Sequence, residues 1–189
     1  LRQAMRRIGR DGIDRLVIDV SLNTGGMAEN VFYTLDYLTD KPVDITYTYL
    51  ITDECREKAK NNVDRSPYLS EADREYMMRY IDSVVYVLTS HQTYSAAQVF
   101  ARYCQVLGVG KVAGQHCGGY NAVTGNAARV ELPVSRWMQF QVPFREEVIS
   151  PDDEPYAYPT MDIPIEHPFE EWLHRENRSL ERLLRMIEE

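Results

Sequence analysis

Ser95 is the residue of this chain best placed to act as a nucleophile. It follows an apolar run, Val84-Val85-Tyr86-Val87-Leu88, and a polar loop, Thr89-Ser90-His91-Gln92-Thr93-Tyr94. It precedes Ala96-Ala97, where a helix opens: Phe100, Tyr103, Cys104 and Leu107 recur at i, i+3, i+4 and i+7, one helical face. A serine at such a junction lies beside backbone N–H groups without intrahelical partners and at the positive end of the helix dipole. Attack by its hydroxyl, and the oxyanion that attack creates, are both favoured there. The same position suits a serine that only caps the helix, and the local pattern leaves both readings open.

A second stretch has the same form. Leu16-Val17-Ile18-Asp19-Val20 is a strand-like run, Ser21-Leu22-Asn23-Thr24-Gly25-Gly26 a turn, and Met27, Val31, Leu35 and Leu38 recur at helical spacing up to Lys41-Pro42. Gly25-Gly26 lets a backbone come close to a neighbour while its amides stay available to donate. Two strand–turn–helix units of this kind can present their turns side by side at one sheet edge.

Three segments in order carry a resemblance. "LVIDVSLNTGG", "VYVLTSHQTYSAAQVFA" and "KVAGQHCGGYNAVTGNAARVELPVS" resemble successive segments of the tail-specific, or C-terminal processing, serine peptidases of the S41 type. Those have Asp-x-Arg-x-Asn-x-Gly-Gly after a strand, then Ser-Ala-Ser-Glu, then Gly-Glu-x-Thr-x-Gly-Lys before a hairpin. The resemblance covers roughly residues 16 to 142. It implies the spiral ββα core shared by crotonases and Clp-type peptidases, an α/β fold with a parallel sheet and, here, a C-terminal helix. It also implies Ser95 as nucleophile and an oxyanion hole from the amide of Ala96 and one from Gly25 or Gly26.

The base departs from the pattern. The family lysine lies about 25 residues after the serine, and Tyr120 stands there. A tyrosine, with an ordinary pKa near 10, is a poor base at neutral pH. Lys111 falls in the preceding strand with its tip in solvent. His116 and His91 lie in loops of the expected active edge, and His116 is the better substitute. In tricorn-like relatives a histidine comes from upstream of this core. Ser21 replaces the usual arginine and, with Asp19, suits a structural role. Gln98 stands where the pattern has glutamate.

The remaining chain constrains the class. Its 189 residues, 44% hydrophobic and 26% charged, suit one globular domain able to bury a core. A net charge of −8 disfavours nucleic acid as partner. No apolar run is long enough to span a membrane. Cys55, Cys104 and Cys117 match no zinc spacing, nor do His91, His116, His167 and His174, so no metal and no cofactor are expected. Cys104 reads as core, and Cys55 could pair with Cys117 only if the fold joins them. Val43 to Thr52 alternates as a strand. The charged segment Asp53 to Asp82, with a capping-box start at Ser70, suits a mobile or substrate-covering insertion, or a plain solvated helix pair. Lys111 to Ala113 is a short strand, and Ala128 to Val142 holds two strand-like runs around Pro133 and Ser135. Pro168, Trp172, Leu180, Leu183, Leu184 and Ile187 read as one C-terminal amphipathic helix.

Two functional classes follow. One is a serine endopeptidase acting on peptides or unfolded protein, near C-terminal segments as the resemblance implies, with a base other than lysine. The other is a peptide-binding relative that has lost turnover. A crotonase-type acyl-CoA enzyme fits less well, because it needs no serine at this place. The resemblance further implies an incomplete N-terminal side, an exported setting in the periplasm or at the cell surface, and possible oligomers. Residues 1–189 alone are expected to be a weak or inactive peptidase.

Overall fold

The apolar run Leu16-Val17-Ile18 forms strand β1 (Arg15–Asp19), preceded by helix α1 (Arg2–Asp11). Helix α2 (Ala28–Leu35) and a short strand β2 (Tyr47–Tyr49) follow. Next come strand β3 (Val84–Thr89), helix α3 (Ala96–Val106), strand β4 (Gly110–Gly114), and strands β5 (Ala122–Glu131) and β6 (Gln139–Val148). Strand β7 (Ile163–Pro164) and helices α4 (Phe169–His174) and α5 (Ser179–Glu188) complete the order. The structure is a computed structural model and describes residues 1–41, 47–49, 84–132, 134, 138–150, 152–174 and 176–188. The expected insertion Asp53 to Asp82, Cys55, and most of the expected strand Val43 to Thr52 lie outside these residues.

Four strands form a parallel sheet in the order β1-β3-β4-β7. Leu16 pairs with Val85, Asp19 with Leu88, Leu88 with Ala113, and Ala113 with Ile163. Parallel alignment has one decisive consequence: β1, β3 and β4 all end at the same edge. The three turns that leave them, residues 20–27, 90–95 and 115–121, therefore begin side by side.

Both faces of the sheet are covered, which is why its strands read as continuous apolar runs rather than alternating ones. Val85, Val87 and Val112 belong to a core with Met5 of α1, Val31 and Leu35 of α2, and Phe100, Tyr103 and Cys104 of α3. Phe32 and Tyr103 meet across α2 and α3 with ring centroids 6.1 Å apart. On the opposite face Leu88 and Ala113 pack with Ile165 and the fully buried Leu183 of α5. A second sheet, β2-β6-β5, is antiparallel, and β5 and β6 form the expected hairpin, Ala122 pairing with Val148 and Glu131 with Gln139. Among the described residues no helix is long and apolar enough to cross a membrane.

The α/β organisation with a parallel sheet is as the sequence implied. One expectation is corrected: the C-terminal stripe forms two helices, not one. Glu176 N–H bonds Glu171 O at 2.8 Å, closing α4, and Asn177 Oδ1 accepts the N–H of Ser179 at 3.0 Å, opening α5. An asparagine side chain that satisfies an orphan amide starts a new helix. Trp172 is consequently exposed and stacks on Phe169, with centroids 5.6 Å apart, instead of entering the core with Leu183.

Candidate active site

The first turn is built on two short-range side-chain bonds. Asp19 Oδ1 accepts the Ser21 N–H and Asn23 Oδ1 accepts the Gly25 N–H, both at 2.9 Å. The second is an Asx turn, which folds the backbone back on itself two residues on. The second turn is laced into the first. Ser90 Oγ donates to Ser21 O, Thr93 Oγ1 donates to Val20 O at 2.9 Å, and Tyr94 N–H donates to Asn23 O at 3.1 Å. Thr93 is fully buried, so its bond to Val20 is shielded from water.

Ser95 occupies the N-cap position of α3 but does not behave as a cap. Its backbone has φ +52° and ψ −126°, whereas an N-cap is ordinarily extended with negative φ. Its side chain makes no capping hydrogen bond. Among the described residues it is the one non-glycine residue with positive φ. Such a backbone stores about 1–3 kcal/mol of strain and persists only where surrounding contacts enforce it. The turns of serine nucleophiles at strand–helix junctions are sharp and strained for the same reason: they hold the hydroxyl clear of the helix.

Gly25 faces this serine directly. A Cβ at Gly25 would lie 2.6 Å from Ser95 Cβ, 2.9 Å from Tyr94 O and 3.2 Å from Ala96 N. The close approach expected of Gly25-Gly26 is therefore made to the expected nucleophile. Gly25 also has φ +109°, a conformation natural to glycine. Its own amide is committed to Asn23 Oδ1. The amides of Gly26 and Ala96 donate to no described residue. Of the three oxyanion-hole candidates, Gly25 thus has its amide committed, while the amides of Gly26 and Ala96 have no partner among the described residues. An open cleft of about 510 Å³ adjoins this turn, lined by Asp19, Ser21, Leu22, Asn23 and Thr24.

The third turn carries the remaining candidates. Gln115 N–H bonds Thr89 O at 3.1 Å and Gly118 N–H bonds Thr93 O at 3.0 Å, so this turn lies on the second. His116 packs edge to face on His91, with centroids 4.3 Å apart, and against Tyr158 at 4.4 Å. Tyr120 stacks on Tyr158 at 4.9 Å. His116 Nδ1 is 2.9 Å from Cys117 O, an arrangement in which Nδ1–H donates to the carbonyl. Lys111 sits three residues back from the edge in β4, exposed and about 10 Å away along the strand. Cys117 is buried, and burial pushes its thiol up to about 12, so it stays protonated. Cys104 is fully buried, as expected of core; both thiols are free. Among the described residues no three His, Cys, Asp or Glu converge on a common point.

His91 is held below its ordinary value of 6.5, first by partial burial and then by repulsion from His116 and His167. A lowered pKa means that the unfolded chain binds the proton more readily. Stability is then full above pH 6.5 and falls as the pH drops towards the folded-state pKa. Thermal unfolding between about pH 5 and 8 checks this: the His91→Gln variant is expected to lose less on acidification than the parent chain.

Sequence reading passed over Asn23, Ser90 and Thr93, which hold the two turns together. The Asn-x-Gly spacing at Asn23 was a usable local signal. Ser90 and Thr93 also bond locally, Ser90 Oγ accepting the Gln92 N–H and Thr93 Oγ1 the Ser90 N–H, both at 3.0 Å, but their partners in the first turn lie some seventy residues away.

The profile of Peptidase family S41 matches residues 1–148. No curated protein sequence matches the chain significantly. Among solved structures, the photosystem II D1 C-terminal processing protease is 20% identical, with 87% of this chain and 38% of that one aligned and a TM-score of 0.55. A candidate S41 protease from Bacteroides fragilis NCTC 9343 is 18% identical over 99% of this chain and 48% of its own, with a TM-score of 0.62. Mature CPAF is 15% identical over 86% and 42%, also at 0.62. At these identities the likeness establishes a shared fold. This chain spans less than half the length of each of the three.

Proposed function

On the premise that this chain belongs to peptidase family S41, we propose that it is a serine peptidase core in which Ser95 attacks the peptide carbonyl. The observation that carries the reading is the strained Ser95 backbone pressed against Gly25, beside the Ala96 and Gly26 amides, which have no partner among the described residues. Strain at a residue that does not cap its helix needs a purpose, and exposing a nucleophile is one.

In this reading Ser95 Oγ forms a bond to the carbonyl carbon and gives its proton to a base. The carbonyl oxygen becomes an oxyanion held by the two amides. Collapse of the intermediate expels the amine, which takes the proton from the base. Water then repeats the sequence on the acyl-serine and restores the hydroxyl. His116 Nε2 is the base we assign, because its loop rests on the turn that presents Ser95 and its Nδ1 is engaged with the Cys117 carbonyl, which leaves Nε2 as the nitrogen available to the serine. The substrate class is a peptide or unfolded protein segment. A preference for C-terminal segments extends to this chain what the D1 processing protease is named for.

One observation favours a second reading, a peptide-binding relative without turnover. Tyr120 stands in the place of the family lysine, and its ring is engaged with Tyr158. A fluorophosphonate probe separates the two. The parent chain is expected to label at one site, and Ser95→Ala is expected to remove the label completely. A folded parent chain that does not label at all would leave the binding reading standing.

A further inference from the structure

We propose that Gln98 is a positioning residue that holds the His116–Tyr120 loop in register with Ser95. Gln98 lies three residues after Ser95, on the first turn of α3, and is 2% exposed. A buried polar side chain needs a partner, and this one reaches across to another loop: its Nε2 donates to the carbonyl oxygen of Tyr120. The loop is shaped to receive it. A Cβ at Gly119 would stand 2.6 Å from Gln98 Oε1, so the amide fills the space that a side chain there would need.

A second tie complements the first. Gly118 N–H bonds Thr93 O at 3.0 Å, and a Cβ at Gly118 would collide with the Tyr94 ring and the His91 carbonyl. The loop is therefore fastened to the chain two residues before Ser95 and three residues after it. Two ties that straddle the nucleophile leave the loop little freedom to slide relative to the hydroxyl. Chemistry selects glutamine here: a carboxylate, as in the pattern this chain resembles, has no proton at neutral pH to offer a carbonyl, whereas an amide has two. A reacting group displaced by about 1 Å can lose on the order of 10²-fold in rate, so a tie of this kind acts on chemistry without touching substrate.

The proposal rests on the Ser95 reading for its activity readout, and a second readout is independent of it. Gln98→Met keeps the volume and removes the donor. Fluorophosphonate labelling of Ser95 is expected to fall about tenfold or more. In histidine NMR, the His91 titration midpoint is expected to rise, because a released loop takes His116 away from His91. A folded Gln98→Met chain with an unmoved His91 midpoint overturns the proposal, whether or not labelling changes, since the loop has then stayed in place. A raised midpoint with undiminished labelling overturns it too. If the parent chain itself does not label, the nucleophile reading fails and the His91 midpoint alone decides. Should Gln98→Met not fold, Gly119→Ala carries the same test from the loop side, since its added methyl displaces the Gln98 amide without disturbing the core.

Discussion

Gly25→Ala is expected to lower fluorophosphonate labelling of Ser95 by about 10²-fold or more, while the chain still folds. Two effects combine. At φ +109° an alanine is strained, which costs about 1–3 kcal/mol. Its methyl would also meet Ser95 Cβ at 2.6 Å, Tyr94 O at 2.9 Å and Ala96 N at 3.2 Å. These neighbours are backbone or next to it, so no rotamer change relieves the contact. Relief requires the nucleophile and the Ala96 amide to move together, which takes the oxyanion donor off its target. Gly12→Ala is the control. It places an alanine at φ +65° with nothing within 4 Å, at the end of α1, where the chain enters β1 at the end opposite the three turns. That variant is expected to lose stability by about 1 kcal/mol and label like the parent. A folded Gly25→Ala chain that labels at the parental rate would refute the oxyanion-hole assignment.

Cleavage of an unstructured peptide by residues 1–189 is expected to be slow, abolished by Ser95→Ala and reduced about 10²–10⁴-fold by His116→Ala. Slow, because a serine hydroxyl needs a base within about 3.2 Å whose pKa lies near working pH, and here no lysine stands at the family position. Tyr120, engaged with Tyr158, does not replace it. His116 has the right chemistry but is also held by its contacts with His91 and Tyr158. Peptide assays on the parent and the two variants check this. Cleavage lost in Ser95→Ala but untouched in His116→Ala would remove His116 as the base. Fast cleavage by the parent would show that a base is fully in place and contradict the expected impairment.

The elements near the site were legible because their signals are local. Val84 to Leu88 and Leu16 to Val20 are apolar runs bounded by polar turns, and the helical faces after them repeat at 3.6 residues. Ser95 at a strand–helix junction and Gly25-Gly26 as a site of close approach follow from residue type and position alone. The break between α4 and α5 was also written locally, in Asn177, but a continuous apolar stripe outweighed one capping residue.

What the tertiary structure decided is how distant turns act on one another. Whether Ser95 caps a helix or is forced out of that role depends on Gly25 and Tyr94 pressing around it, and that contact exists only because β1 and β3 run parallel in register. Which glycine amide stays free depends on Asn23 capturing the other. The pairing of His116 with His91, and of Gln98 with the Tyr120 carbonyl, joins loops whose conformations no short-range rule dictates. Sequence periodicity specifies which face of a strand or helix is buried, because that requires only repeated apolar side chains. It does not specify φ at a single residue or the partner of a single amide, because those are set by neighbours that the sheet, and not the chain, brings together.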